Sequence, residues 1–192
     1  MIIKIITRTS FFLILVAIFS CSSTRTNDDI NGGFENDSGR DNPDGWFANN
    51  LPVTRKYAKL SVDNSTSHSG DKSILISISI HHPKETTIYN WIRRVDGLKV
   101  GEIYEMQGWI RAEKVKSSPF IEVQFWNSSQ IIGTASTAQG YLITGTKNWQ
   151  RVNTIFSVPN GTSKVLIRAG INSYKNNGGK VWFDDIQIQN VK

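Results

Sequence analysis

The chain has 192 residues, 22 basic and 16 acidic, for a formal charge of +6, and it has a single cysteine. One cysteine excludes an internal disulfide. Basic residues scattered along the chain, gathered only at Arg93-Arg94 and Lys114/Lys116, argue against a nucleic-acid partner.

Residues 1–20 carry Lys4 and Arg8, then the apolar run "FFLILVAIF", then "IFSC". These are the charged, hydrophobic and small-residue parts of a secretory signal, and the run is short for a membrane span. The stretch Ile18-Phe19-Ser20-Cys21 resembles a bacterial lipobox, which implies cleavage before Cys21 and a diacylglycerol on its sulfur. An ordinary signal peptide with an incidental cysteine is the other reading. The lipobox predicts a lipid-anchored protein of the bacterial cell envelope, at the outer membrane, with a formal charge of +4 once Lys4 and Arg8 are removed. Residues 21–30, through "SSTRTNDDI", are polar and aperiodic and read as a flexible tether. Residues 31–192 read as one domain.

Within that domain the runs "KYAKLSVDN", "KSILISISI", "TIYNWIRRV", "IYEMQGWIRAEKV", "PFIEVQFW", "WQRVNTIFSV", "SKVLIRAGIN" and "KVWFDDIQI" alternate apolar with polar residues. Such runs, rich in β-branched and aromatic side chains, predict strands. The intervening "NSTSHSGD", "DGLKVGE", "VPNGTS" and "SYKNNGG" predict turns. Many short strands at regular spacing predict an all-β sandwich or barrel. Residues 127–147, poor in apolar pairs, read as an irregular loop. In the last run, alternation puts Trp182, Asp184, Ile186 and Ile188 on one face, so a carboxylate points with the apolar residues.

The phrases "NGGFEN", "PDGW", "SHSGDKSILIS", "NWIRRVDGLKVGEIYEMQGWIRAEKV", "WQRVNTIFSVPNGTSKVLIRAGI" and "GKVWFDDIQI" occur in an order that resembles carbohydrate-binding module families 4, 9 and 22. The resemblance spans about residues 30–190. It implies a galactose-binding-domain-like jelly roll of two sheets, a structural calcium ion, a glycan-binding face and no catalysis. Carried over residue by residue, it nominates the Asp184 and Glu35 carboxylates and a backbone carbonyl near Lys72 as calcium ligands. Calcium takes oxygens of these kinds and would compensate a buried carboxylate. Asp184 could instead pair with an Arg or Lys, or a bulge could turn it outward and leave Asp185 inward.

Strands that alternate between sheets put 86–95, 119–126 and 164–172 in one sheet and 72–80, 103–113, 149–158 and 180–189 in the other. On the first sheet Ile121, Val123, Phe125, Val165, Ile167, Ala169 and Ile171 would face the core. Glu122, Gln124, Trp126, Arg168 and Asn172 would then face out. Tyr89, Trp91 and Arg93 share a face, assigned outward because Trp91 matches the stacking aromatic of sugar-binding relatives. Together these eight form the expected ligand face, since pyranose C–H faces stack on aromatics and planar polar groups pair with adjacent hydroxyls. Core-edge packing by Trp91 and Trp126, and cross-strand pairing of Arg93 and Arg168 with Glu122, are the structural readings of the same residues. Two arginines hint at an acidic glycan. Trp109 and Trp149 read as packing residues and Trp46 as a lid.

No nucleophile, metal or phosphate-loop spacing surrounds His68, His81 or His82. Jelly-roll polysaccharide lyases use Tyr, His and Arg on a concave face, for which Tyr89, His81, Arg93 and Arg168 would be the candidates. The expected function is a non-catalytic glycan-binding module of an envelope lipoprotein. The alternative is a structural or protein-interaction subunit of an envelope complex without sugar affinity.

Overall fold

The computed structural model describes residues 30–49, 56–84, 86–173 and 175–191. The expected signal peptide, Cys21 and the part of the expected tether before residue 30 lie outside them. Ten strands form two antiparallel five-stranded sheets. The first sheet has the order β1-β4-β9-β6-β7, from Trp46–Asn49, Ile88–Val95, Lys164–Asn172, Phe120–Asn127 and Gln130–Ser136. The second has the order β2-β3-β10-β5-β8, from Ala58–Asp63, Ser73–Ile78, Lys180–Asn190, Ile103–Val115 and Gly145–Ser157. This is a jelly-roll β-sandwich, and the seven strands that alternation assigned to a sheet lie in the sheet expected, with β2 joining the second.

The core lies between the sheets. Ile121, Val123, Phe125, Val165, Ile167, Ala169 and Ile171 enter it from the first sheet, and Ile74, Ile76, Met106, Ile110, Val181 and Phe183 from the second. Its buried residues run from Ile30 to Ile188 in one connected cluster. Residues 22–192 therefore keep every buried side chain of the described residues, which run from Ile30 to Ile188.

Two departures from expectation concern short edges. Residues 127–147 are not an irregular loop: β7 pairs with β6 through Glu122↔Ser136 and Gln124↔Thr134, and β8 begins at Gly145. Trp46 is a core residue in β1, edge-to-face with Phe34, and its indole N–H reaches the carbonyls of Ile30 and Asn31 at 3.0 Å each.

The third departure is the alternation of β10. Asp184 pairs with Trp109 and Gln187 with Gln107, so Asp185 and Ile186 together face Gly108. Two residues opposite one is a β-bulge. Asp185 takes the left-handed conformation, φ 48°, which Asp tolerates better than most side chains. Phe183 and Ile186 consequently both enter the core, while Trp182 and Asp184 point to the outer side of the second sheet. Asp184 and Ile186 do not share a face.

The N-terminal segment crosses the bulge, where the Ile186 N–H donates to the Gly32 carbonyl at 2.9 Å. A Cβ on Gly32 would overlap the Ile186 carbonyl, a backbone atom that cannot swing aside. Gly32→Ala should cost about 3 kcal/mol or more of unfolding free energy through this overlap. Urea denaturation of residues 22–192 measures it, and a variant as stable as the parent would contradict the close crossing.

Candidate functional site

Antiparallel partners share a face, so register decides which side of β4 meets the core. Tyr89 pairs with Ile171, Trp91 with Ala169 and Arg93 with Ile167. All three partners are buried. Tyr89, Trp91 and Arg93 therefore point inward, against the outward expectation. Trp91 is fully buried and its indole N–H reaches across to the Leu75 carbonyl, 3.3 Å away on the second sheet. Tyr89 is buried with its hydroxyl 2.8 Å from His82 Nε2, and burial raises its pKa. Arg93 donates to the Asp44 carbonyl at 3.3 Å, its buried Nε has no partner, and desolvation lowers its pKa. The lyase-like set is not assembled, since Tyr89 and Arg93 face away from Arg168.

The outer face of the first sheet keeps Glu122, Gln124, Trp126, Arg168 and Asn172 and gains residues that alternation alone did not nominate. Asn90 and Ile92 replace the lost β4 residues, and Phe47 of β1 lies beside Ile92. Phe120 lies over Gly170, where any Cβ would press on the Phe120 ring and the Asn90 Cβ. Arg168 Nε donates to Asn90 Oδ1 at 3.1 Å. Gln124 Nε2 donates to Glu122 Oε1 at 2.8 Å, and Arg168 Nη1 lies 3.9 Å from that same oxygen. Asn90 and Gln124 are buried and fix the orientation of the half-buried Arg168 and Glu122. Desolvation lowers the Arg168 pKa, and the Glu122 charge opposes this.

Aromatic surface flanks this polar centre. Phe47 is 48% exposed on one side. On the other, Trp126 is half-buried with Lys164 Nζ 4.5 Å from its ring centroid, and its indole N–H is buried without a partner. Such an orphaned donor costs about 1–3 kcal/mol.

The outer face of the second sheet is closed on itself. His68 stacks on Trp109 at 3.8 Å between centroids and meets the edge of Trp149. Trp182 Nε1 donates to Asp63 Oδ2 at 2.7 Å, and Gln107 to Gln187 at 3.0 Å. Trp109 and Trp149 thus pack, as expected, but they do so on the outside, over the bulge.

Beneath them lies the nominated metal set. Asp184 is fully buried: its Oδ2 accepts from the amides of His68 at 2.7 Å and Ser69 at 3.3 Å, and its Oδ1 from the Asp185 amide at 2.8 Å. Glu35 Oε1 accepts from the Asp71 and Lys72 amides, and the Lys72 ammonium lies 3.1 Å from the Glu35 carbonyl and 2.7 Å from Asp37. Asp184 is satisfied by N–H donors, and both the Lys72 amide and the Lys72 ammonium donate to Glu35. Among the described residues no three His, Cys, Asp or Glu side chains form a metal-holding group. A pocket of about 180 Å³ brings Glu35 instead to Asp185, with Asn31, Asn36, Ser69 and Gly70. Asp185 Oδ1 accepts from Ser69 Oγ at 2.7 Å, and its Oδ2 lies 2.6 Å from His68 Nδ1. These side-chain oxygens are the hard donors calcium prefers.

Residues 30–175 match the family model described as Carbohydrate binding domain (CBM 4/9). The chain belongs to this carbohydrate-binding family. Among solved structures it is similar to the CBM22-1 xylan-binding domain of Xyn10C from Paenibacillus barcinonensis, at 15% identity and a TM-score of 0.55, covering 88% of this chain and 94% of that one. A family 61 module, TmCBM61, in complex with β-1,4-galactotriose matches at 16% identity and a TM-score of 0.51, over 88% and 100%. The Stig cyclase Fisc from Fischerella sp. TAU matches at 16% and 0.56, over 88% and 98%, so the fold also occurs in enzymes. No curated protein matches the chain.

Burial raises the Asp184 pKa from 3.8 to about 7, against the three N–H bonds that favour its ionised form. A folded-state pKa above the unfolded value means that the folded chain holds a proton which the unfolded chain has lost. The contribution is full below about pH 4 and disappears as pH rises to about 7. Unfolding free energy in calcium-free buffer should fall across that window, by an amount on the order of a few kcal/mol. Denaturant titrations at several pH values measure the slope. Asp184→Asn should flatten it, and an unchanged slope in that variant would assign it to other groups.

Proposed function

We propose that this member of the family is a non-catalytic glycan-binding module of a bacterial envelope lipoprotein, with its ligand lying across the outer face of the first sheet. The observation that carries the reading is the Asn90-Arg168-Glu122-Gln124 row between the aromatic surfaces of Phe47 and Trp126. Planar groups held in place by buried neighbours can pair with adjacent sugar hydroxyls, and the flanking aromatics can receive C–H faces.

The charge of that row favours a neutral polysaccharide. Arg93, half of the arginine pair that hinted at an acidic glycan, is turned inward, and the charge of Arg168 is balanced by Glu122. A uronate beside Glu122 would meet a like charge. The xylan-binding and galactotriose-bound relatives are consistent with this preference.

Affinity electrophoresis of residues 22–192 through gels containing xylan, β-1,4-galactan or alginate tests the reading. Retardation by a neutral glycan is expected, weakened by about tenfold or more in Trp126→Ala and Glu122→Ala. Free migration through every gel, with a protein partner captured instead, would move the chain to the alternative of a structural subunit.

Two further assignments belong to this proposal. Calcium would be held by Glu35 and Asp185 in the oxygen-lined pocket, tying the N-terminal segment to β10, and its role would be stability. Added calcium should then raise the Tm of the parent but not of Glu35→Gln or Asp185→Asn, while Asp184→Asn keeps the response. Differential scanning calorimetry with calcium or EGTA decides this, and equal traces in the parent would remove the ion. Lipid attachment at Cys21 predicts that Cys21→Ser moves the cellular protein from the membrane to the soluble fraction. Membrane retention of that variant would overturn it.

A further inference from the structure

The connections β3 to β4, β5 to β6 and β9 to β10 all leave the sandwich at one end, and hydrogen bonds join them into one surface. Asn177 Nδ2 donates to the carbonyls of Ile80 and His82. Asn176 Oδ1 accepts from the amides of Lys116 and Ser117, and Ser118 Oγ accepts from the Ile143 amide. The pair rows Lys59↔Ser77 and Ser77↔Lys180 continue this surface onto the second sheet, as does the Lys114 amide bond to Thr146 Oγ1.

Six lysines collect here: Lys56, Lys59, Lys114, Lys116, Lys147 and Lys180. All are exposed except the half-buried Lys180. Among the described residues the one carboxylate of this surface is Glu113, 3.7 Å from Lys114. A pocket of about 220 Å³ lined by Lys56, Lys59, Ser77 and Ser79 contains no acid. Two aliphatic side chains project from the same end, Leu142 at 83% and Ile80 at 69% exposed, more than any other large hydrophobic residue of the described chain.

We propose that this end docks on an anionic lipid surface, with the lysines facing the headgroups and Leu142 and Ile80 entering the interface. The combination points to lipid. Lysines that outnumber the described acid of this surface, Glu113, are drawn to a negative leaflet and act within a Debye length of it. Protruding aliphatics gain from an acyl boundary, which a soluble polyanion does not offer. Nucleic-acid surfaces of comparable charge add arginines and exposed stacking aromatics, whereas among the described residues the aromatics beside these lysines are Tyr57 and the buried Trp182, which Arg111 already covers. The site lies apart from the Arg168–Glu122 row and does not depend on glycan binding.

Co-sedimentation of residues 22–192 with vesicles tests it, because that chain lacks the apolar leader. Vesicles of phosphatidylcholine mixed with phosphatidylglycerol should bind at least about tenfold more protein than phosphatidylcholine alone, and raised salt should remove the difference. The triple variant Lys59→Glu, Lys116→Glu, Lys180→Glu should lose the binding. Leu142→Ser with Ile80→Ser should weaken vesicle binding severalfold and leave the salt needed for elution from dextran sulfate unchanged. Equal partition onto neutral and anionic vesicles overturns the proposal. Full vesicle binding by the Leu142/Ile80 variant also overturns it, because the surface would then be a general polyanion site and not a lipid one.

Discussion

Two residues of β10, Asp185 and Ile186, stand opposite the single Gly108 of β5, and the rest of the sandwich is arranged around that mismatch. The extra residue lets Phe183 and Ile186 both fill the core and puts Asp184 on the outside of the sheet. There its carboxylate gathers the amides of His68, Ser69 and Asp185. The 64–72 loop is thereby pinned over the sheet, and His68 is held against Trp109. On the other flank the Ile186 amide takes the Gly32 carbonyl, which fixes the N-terminal segment. Through Phe34 and the carbonyls of Ile30 and Asn31 the same segment seats Trp46, the first residue of β1. A feature of the second sheet therefore sets the edge of the first, where Phe47 is presented.

Register then divides polar from apolar on the first sheet. Because Arg93 lies opposite Ile167, its guanidinium enters the sandwich near one end, where it loses solvent and donates to the Asp44 carbonyl. That burial is unfavourable. Large inward aromatics on the same strand, Tyr89 and Trp91, offset it, since each removes on the order of 150–250 Å² of apolar surface from water. The outer side of β4 is left with Ile88, Asn90 and Ile92, and Asn90 completes the row with Arg168. The polar centre of the candidate site is thus a consequence of how the core is filled.

Most of the architecture was legible in the alternation itself. The partition into two sheets followed from successive strands crossing the sandwich, and Ile121, Val123, Phe125 and the β9 residues were readable as core because one face was plainly apolar. β4 was not readable in this way. In "IYNWIRRV" one face holds Ile88, Asn90 and Ile92 and the other Tyr89, Trp91 and Arg93, so both are half apolar and only pairing with β9 separates them. Trp91 and Arg93 were accordingly misplaced, while Glu122, Gln124, Trp126 and Arg168 were not. The bulge was legible only as one of the alternatives for Asp184, the carboxylate that alternation put among apolar residues. An inserted residue leaves no compositional mark, and every position after it changes face. The edges β1 and β7 were missed because edge strands need not alternate: β7 is exposed or half-exposed along its whole length.

Charge shows the same gap between order along the chain and order in space. Lysines at 56, 59, 114, 116, 147 and 180 look dispersed, yet the connections bring them to one end. Glu35, Asp37, Asp44, Asp63, Asp71 and the Asp184-Asp185 pair collect toward the other, around the bulge and the start of β1. A modest net charge therefore conceals a polar molecule. Net charge governs solubility and average attraction, but a separation of charge between the two ends of the sandwich also orients the molecule as it approaches a charged surface. The row between Arg168 and Glu122 is internally balanced and contributes little to that separation. Orientation by the ends and recognition by the face can then operate without interfering, because the two depend on different residues held by different connections of the same two sheets.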